Sequence, residues 1–66
     1  MKVKVNRRFV ELFEGARVRD AVLRYLVRRK MDLGLAETVR VEDALGHELG
    51  QDAPLSEGKV IKVKGL

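Results

Sequence analysis

The stretch Glu14-Gly15-Ala16-Arg17-Val18-Arg19-Asp20-Ala21-Val22-Leu23-Arg24-Tyr25-Leu26-Val27-Arg28-Arg29-Lys30 decides the fold. On either side of it, apolar and polar residues alternate with period two. Inside it, the period lengthens to that of a helix. At about 100° per residue, Ala21, Tyr25, Val18, Val22 and Leu26 fall in one arc, the stripe of a core-facing helix. The spacing predicts a helix from Arg17 to about Lys30. Arg17, Arg24 and Arg28 share one flank, a solvated edge, and Arg19 and Lys30 share the other. Arg29 lands near the apolar centre, so the helix is expected to end there or the side chain to snorkel. Arg28-Arg29-Lys30 suits the negative end of the helix dipole, and Gly34 is the expected stop.

Working outward, Lys2-Val3-Lys4-Val5-Asn6 and Phe9-Val10-Glu11-Leu12-Phe13 each read as a half-buried strand. A hairpin with Arg7-Arg8 as its loop would pair Val5 with Val10 and Val3 with Leu12, apolar facing apolar. Arg-Arg is not the Asn-Gly or Asp-Gly that a tight turn prefers, so a looser four-residue turn starting at Asn6 is the alternative. Downstream, Thr38-Val39-Arg40-Val41-Glu42 alternates, Asp43 to Gly46 turns, and His47-Glu48-Leu49 is a short strand. Gln51 to Leu55 is a loop anchored by a buried Leu55. Ser56-Glu57-Gly58 turns the chain into a last strand, Lys59 to Lys64.

One helix covers one face of a sheet and leaves the other to solvent, which suits strands that alternate. Strand, strand, helix, strand, strand, strand is the order of the β-grasp, or ubiquitin-like, fold. The expected class is α+β: a mixed sheet with one helix packed on one face, its first and last strands adjacent, parallel and central.

A chain of 66 residues holds one domain, 1–66, since two separate cores would not fit. At 45% hydrophobic residues it can form a small core, which argues against intrinsic disorder. With no cysteine, disulfides, Cys-ligated zinc and thiol catalysis are excluded. His47 is the only histidine, so a His-rich metal site is excluded as well, and no metal or cofactor is expected. No apolar run approaches the roughly 18–20 residues of a membrane span. The opening Met-Lys-Val-Lys-Val-Asn lacks a signal-peptide core, so the expected location is the cytoplasm, with no membrane partner. Abundant mixed charge, with Gln and Asn used once each, resembles thermophile surfaces.

Glu14-Gly15-Ala16 followed by Val18 and Asp20 resembles the "E-G-A-T-V-x-D" helix entry of two β-grasp families. One is the TGS domain, an accessory module of threonyl-tRNA synthetases, certain GTPases and stringent-response enzymes. The other comprises the thiamine and molybdopterin sulfur carriers. Gly46 to Val63, which contains Gly50, Asp52, Leu55, Gly58 and Ile61, is more similar to the TGS pattern "G-x-x-V-G-x-D-x-x-L-x-D-G-D-x-V-x-I". The likeness covers nearly the whole chain, but its motifs are turns and core positions, which specify fold better than function. Sulfur carriers end in Gly-Gly, whose carboxylate a partner enzyme adenylates and thiolates. Here the last residues are Val63-Lys64-Gly65-Leu66, a departure from that pattern.

No catalytic constellation stands out. Glu14, Asp20, Asp43 and Asp52 show no paired-carboxylate spacing, Ser56 reads as a turn residue without a base, and His47 reads as a strand residue. The glycines mark turns, with no phosphate-loop spacing. The informative surface is the open face of the sheet. If Val3, Val5, Val10, Leu12, Val39, Val41, Ile61 and Val63 point at the helix, then Lys2, Lys4, Phe9, Glu11, Phe13, Arg40, Glu42, Lys62 and Lys64 point away. The β-grasp order would cluster Lys2, Lys4, Lys62 and Lys64 on the two central strands, with Arg40 beside them and Phe9 and Phe13 at the edge. Basic groups near aromatics suit single-stranded RNA. The same lysines could equally solvate an open sheet, with Lys4 paired to Glu11.

The expectation is a non-catalytic TGS-like binding module that engages RNA or an RNA-associated protein through Lys2, Lys4, Phe9, Phe13, Arg40, Lys62 and Lys64. The alternatives are a sulfur carrier, whose partner would be an adenylating enzyme, and a plain protein-interaction domain.

Overall fold

In the computed structural model, which describes residues 1–66, β1 (Lys2–Val5) and β2 (Arg8–Glu11) form the first hairpin. Its register pairs Val3 with Val10 and Val5 with Arg8, two residues from the expected pairing of Val5 with Val10 and Val3 with Leu12. The turn is Asn6-Arg7 rather than Arg7-Arg8 or a four-residue loop. Asn6 takes a φ of 55°, which an L-residue tolerates best as Asn or Asp. A two-residue slip leaves every side chain on the same face, so the apolar set still meets the core.

The helix α1 (Val18–Arg28) begins one residue later than expected and stops two residues sooner. Arg17 is the N-cap and offers no side-chain acceptor. Instead the Asp20 carboxylate reaches back and accepts from the Arg17 N–H at 2.8 Å. Arg29 closes the helix by stacking near Tyr25 and donating to its hydroxyl at 3.2 Å, so the side chain leaves the core as snorkelling requires.

Gly34 does not stop α1. Lys30 does, at φ 56°, with its N–H donating to the Val27 carbonyl and the Met31 N–H to the Leu26 carbonyl. Those two bonds make a Schellman motif with lysine where glycine is usual. A left-handed L-residue costs about 1–2 kcal/mol. Lys30→Gly is therefore expected to raise the thermal midpoint by roughly 4–8 °C, the shift that ~1 kcal/mol gives in a domain this small. Gly34 instead lies in a short 3₁₀ helix, Leu33–Glu37, whose start is capped by Asp32 accepting from the Gly34 N–H.

The remaining strands are β3 (Arg40–Asp43), β4 (Glu48–Leu49) and β5 (Val60–Lys64). The sheet order is β2-β1-β5-β3-β4, with β1 and β5 parallel at the centre and the other pairs antiparallel. This mixed sheet with one packed helix is the β-grasp arrangement. Fifteen buried residues make one core with no polar or charged member. All five residues of the predicted helix stripe belong to it, as do all eight inward strand residues and the loop anchor Leu55. No helix is long and apolar enough to cross a membrane.

The β3–β4 turn is held by Asp43, whose carboxylate accepts from the N–H groups of Leu45 and His47, each at 2.9 Å. The His47 N–H is the main reason its pKa lies below the ordinary 3.8. Partial burial opposes that shift, while the Leu45 N–H and the charges of His47 and Lys59 add to it. A depressed carboxylate pKa stabilises the fold above the unfolded value, and that contribution is lost as pH falls through the folded value. Asp43→Asn is expected to flatten the acid limb of the stability profile below pH 3.8, as measured by urea unfolding, and to leave the neutral limb nearly parallel to wild type.

Candidate nucleic-acid interface

The hydrogen bonds that join β1 to β5 also set the spacing of the basic residues. Lys4 N–H donates to the Lys59 carbonyl and Asn6 N–H to the Ile61 carbonyl, both at 2.9 Å, which puts Lys4 level with Val60. Lys62 therefore stands one step along from Lys4, diagonally across the two central strands. Lys2 lies level with Gly58, whose N–H donates to the Lys2 carbonyl at 2.8 Å. Lys64 is at the far end, roughly 20 Å from Lys2 along the strands at ~3.3 Å per residue. The expected cluster of four lysines is thus a diagonal stripe, with Lys4 and Lys62 at its middle.

Neighbouring acids divide this stripe. Lys64 pairs with Glu42 at 3.3 Å and Arg40 with Glu48 at 3.7 Å, so both cations on that side are partly neutralised. Glu11 does not pair with Lys4. The hairpin register sets Glu11 opposite Lys2, and its carboxylate bonds the Met1 ammonium at 3.1 Å. Lys2, Lys4 and Lys62 make no ion pair. The Lys4 ammonium lies 5.7 Å from the centre of the Phe9 ring, which is 59% exposed. An aromatic ring and a lysine thus stand together beside the unpaired Lys62.

Phe13 is not part of this face. β2 ends at Glu11, and the chain bends toward α1 with the Ala16 N–H donating to the Phe13 carbonyl. The alternation that would have sent Phe13 outward stops with the strand, and its ring lines a hollow against Leu23 and Val27 of the helix. In its place the structure adds Arg7. The tight Asn6-Arg7 turn brings it to an open concavity of about 540 Å³ lined by Asn6, Arg7, Lys62, Val63 and Lys64. The sequence held a signal for this, since Asn is, after glycine, the residue that most readily accepts a positive φ in a turn.

Asn6 builds the floor of that concavity. Its side-chain oxygen accepts from the Val63 N–H at 2.9 Å, and its amide donates to the Tyr25 hydroxyl at 3.0 Å. The end of β1 is thereby tied to both β5 and α1, and Lys62 and Arg7 are held on a rigid frame. His47, by contrast, is exposed on the far hairpin with its Nδ1 3.7 Å from Asp43, and Ser56 serves a turn, its carbonyl accepting from the Lys59 N–H. No group of three or more His, Asp or Glu side chains is gathered in a metal-binding arrangement. Comparison of the chain with family models, with curated proteins and with solved structures found no match.

Proposed function

We propose that the protein is a non-catalytic, TGS-like β-grasp binding module that holds single-stranded RNA across the open face of its sheet. One observation carries the reading: Lys4 and Lys62, both free of carboxylate partners, stand on adjacent central strands with the exposed Phe9 ring beside them. Phosphates would meet Lys4, Lys62 and Arg7, and a base would stack on Phe9, the combination used for strands without duplex structure. Lys2 would extend the track at one end, whereas Glu42 occupies Lys64 at the other. Phe13 and Arg40 have no part in it, the first because it faces the helix and the second because Glu48 occupies it.

Fluorescence anisotropy with a labelled oligouridylate tests the proposal. Three phosphate contacts at a slope of about −0.7 each give log affinity against log salt a slope near −2. Lys4→Gln with Lys62→Gln is expected to flatten that slope by about 1.4, the share of two phosphates. Arg28→Gln, on the helix side, should leave it unchanged. Absence of salt-sensitive binding near 50 mM salt would leave the lysines as solubilising groups and favour the protein-interaction reading.

A further inference from the structure

The opposite side of the molecule carries a second surface that RNA binding does not use. Leu23 and Val27, one helical turn apart, project from α1 on the side away from the core, and Val27 is 58% exposed. Phe13, 61% exposed, stands alongside them at the end of the first hairpin. Between them is an open groove of about 280 Å³ lined by Leu12, Phe13, Asp20, Leu23, Arg24 and Val27. A cavity of roughly 150 Å³ accommodates benzene, so this one admits a leucine or phenylalanine side chain. Contiguous exposed apolar side chains of this kind mark contact surfaces.

The charge around the groove selects its occupant. Arg24 lines it and Arg28 follows one turn along, and neither makes an ion pair. The one acid in the lining, Asp20, already accepts the Arg17 N–H. A second copy would bring the same unpaired arginines on a chain of net charge +4, and the two would repel. We infer that this groove binds an acidic amphipathic helix of a partner protein, which seats one apolar anchor between Phe13 and Leu23 and sets carboxylates against Arg24 and Arg28. Helices dock into grooves through anchors at i, i+3 or i+4, and complementary rim charges set the choice of partner.

The test uses two synthetic peptides of about 15 residues with one leucine stripe at helical spacing, flanked by Glu in one and Lys in the other. Each is titrated into the isotope-labelled protein while amide shifts are followed. The Glu peptide is expected to move the amides of Phe13, Leu23, Arg24 and Val27 and the Lys peptide to move none. Leu23→Ala should weaken the Glu peptide about tenfold, the effect of losing one interface anchor. Arg24→Glu with Arg28→Glu should reverse the preference between peptides, with the circular dichroism of the protein unchanged. Equal binding of both peptides, or no groove shifts at about 1 mM Glu peptide, would overturn the inference. So would concentration-dependent dimerisation of the protein alone that Val27→Glu abolishes, which would make the occupant a second copy. Sedimentation of the protein with phosphatidylcholine–phosphatidylglycerol vesicles, lost in the same variant, would make it a lipid surface.

Discussion

Leu26→Ala is expected to cost about 2–5 kcal/mol, the range for truncating a buried leucine whose cavity cannot collapse. Leu26 is fully buried at the centre of the helix stripe, in one core with Val22, Val5 and Ile61, which are equally inaccessible. Its loss strips contacts from α1 and from the two parallel central strands at once. At roughly 0.05–0.15 kcal/mol per residue, a domain of this length holds only about 3–10 kcal/mol in total. The variant should therefore unfold at much lower urea concentration, or be unfolded in part without denaturant. Leu45 supplies the control: it is 82% exposed, so Leu45→Ala should change stability by less than about 0.5 kcal/mol. A small effect at Leu26 would mean that the helix presents a different face to the sheet.

The second large effect is expected at Asn6, a residue that no core argument would single out. Three bonds converge on it: its N–H to Ile61, its side-chain oxygen from the Val63 N–H, and its amide to Tyr25. Its backbone is also left-handed, at φ 55°. Asn6→Gly keeps the backbone and removes the side chain, leaving the Val63 N–H without its acceptor while the Tyr25 hydroxyl keeps the Arg29 guanidinium, at a cost of about 1–3 kcal/mol. Asn6→Ala adds about 1 kcal/mol or more for a Cβ-bearing residue without a local polar group in that conformation. The order of urea midpoints should be wild type, then Gly, then Ala. Equal midpoints for Gly and Ala would show that the turn conformation is not strained. Wild-type stability in Asn6→Gly would show that the side-chain bonds contribute nothing.

These two residues also mark what could be read from the sequence. Leu26 was legible because the 3.6-residue period places it, and the same argument placed Val18, Ala21, Val22 and Tyr25 correctly. Period two did the same for strand faces, from Val3 to Val63. It could not give the hairpin register, because a slip of two residues moves no side chain across the sheet. What fixed the register was the preference of Asn6 for a positive φ, a local signal that prevails over the apolar pairing of Val5 with Val10. Lys30 was illegible for the converse reason: a lysine in a left-handed cap runs against its own preference and is held there by the Schellman bonds of the folded helix.

For the candidate interface, the sequence supplied Lys4, Phe9 and Lys62 and the face they share. The offset of two parallel strands has no periodic signature, so the distance from Lys2 to Lys64 was not readable. Nor was the loss of Phe13, which depends on where β2 stops. Acid pairing at Lys64 and Arg40 runs diagonally between strands, since Glu42 stands opposite Lys62 and Glu48 opposite Glu42, and only the strand order supplies those neighbours.

The proposal that the open face of the sheet holds single-stranded RNA is tested most directly by amide-shift mapping with an unlabelled oligouridylate at about 50 mM salt. Shifts are expected along Lys2 to Arg7, at Phe9 and from Lys62 to Lys64, with Val18 to Arg28 of the helix unmoved. Shifts confined to the helix, or none at saturating RNA, would contradict it.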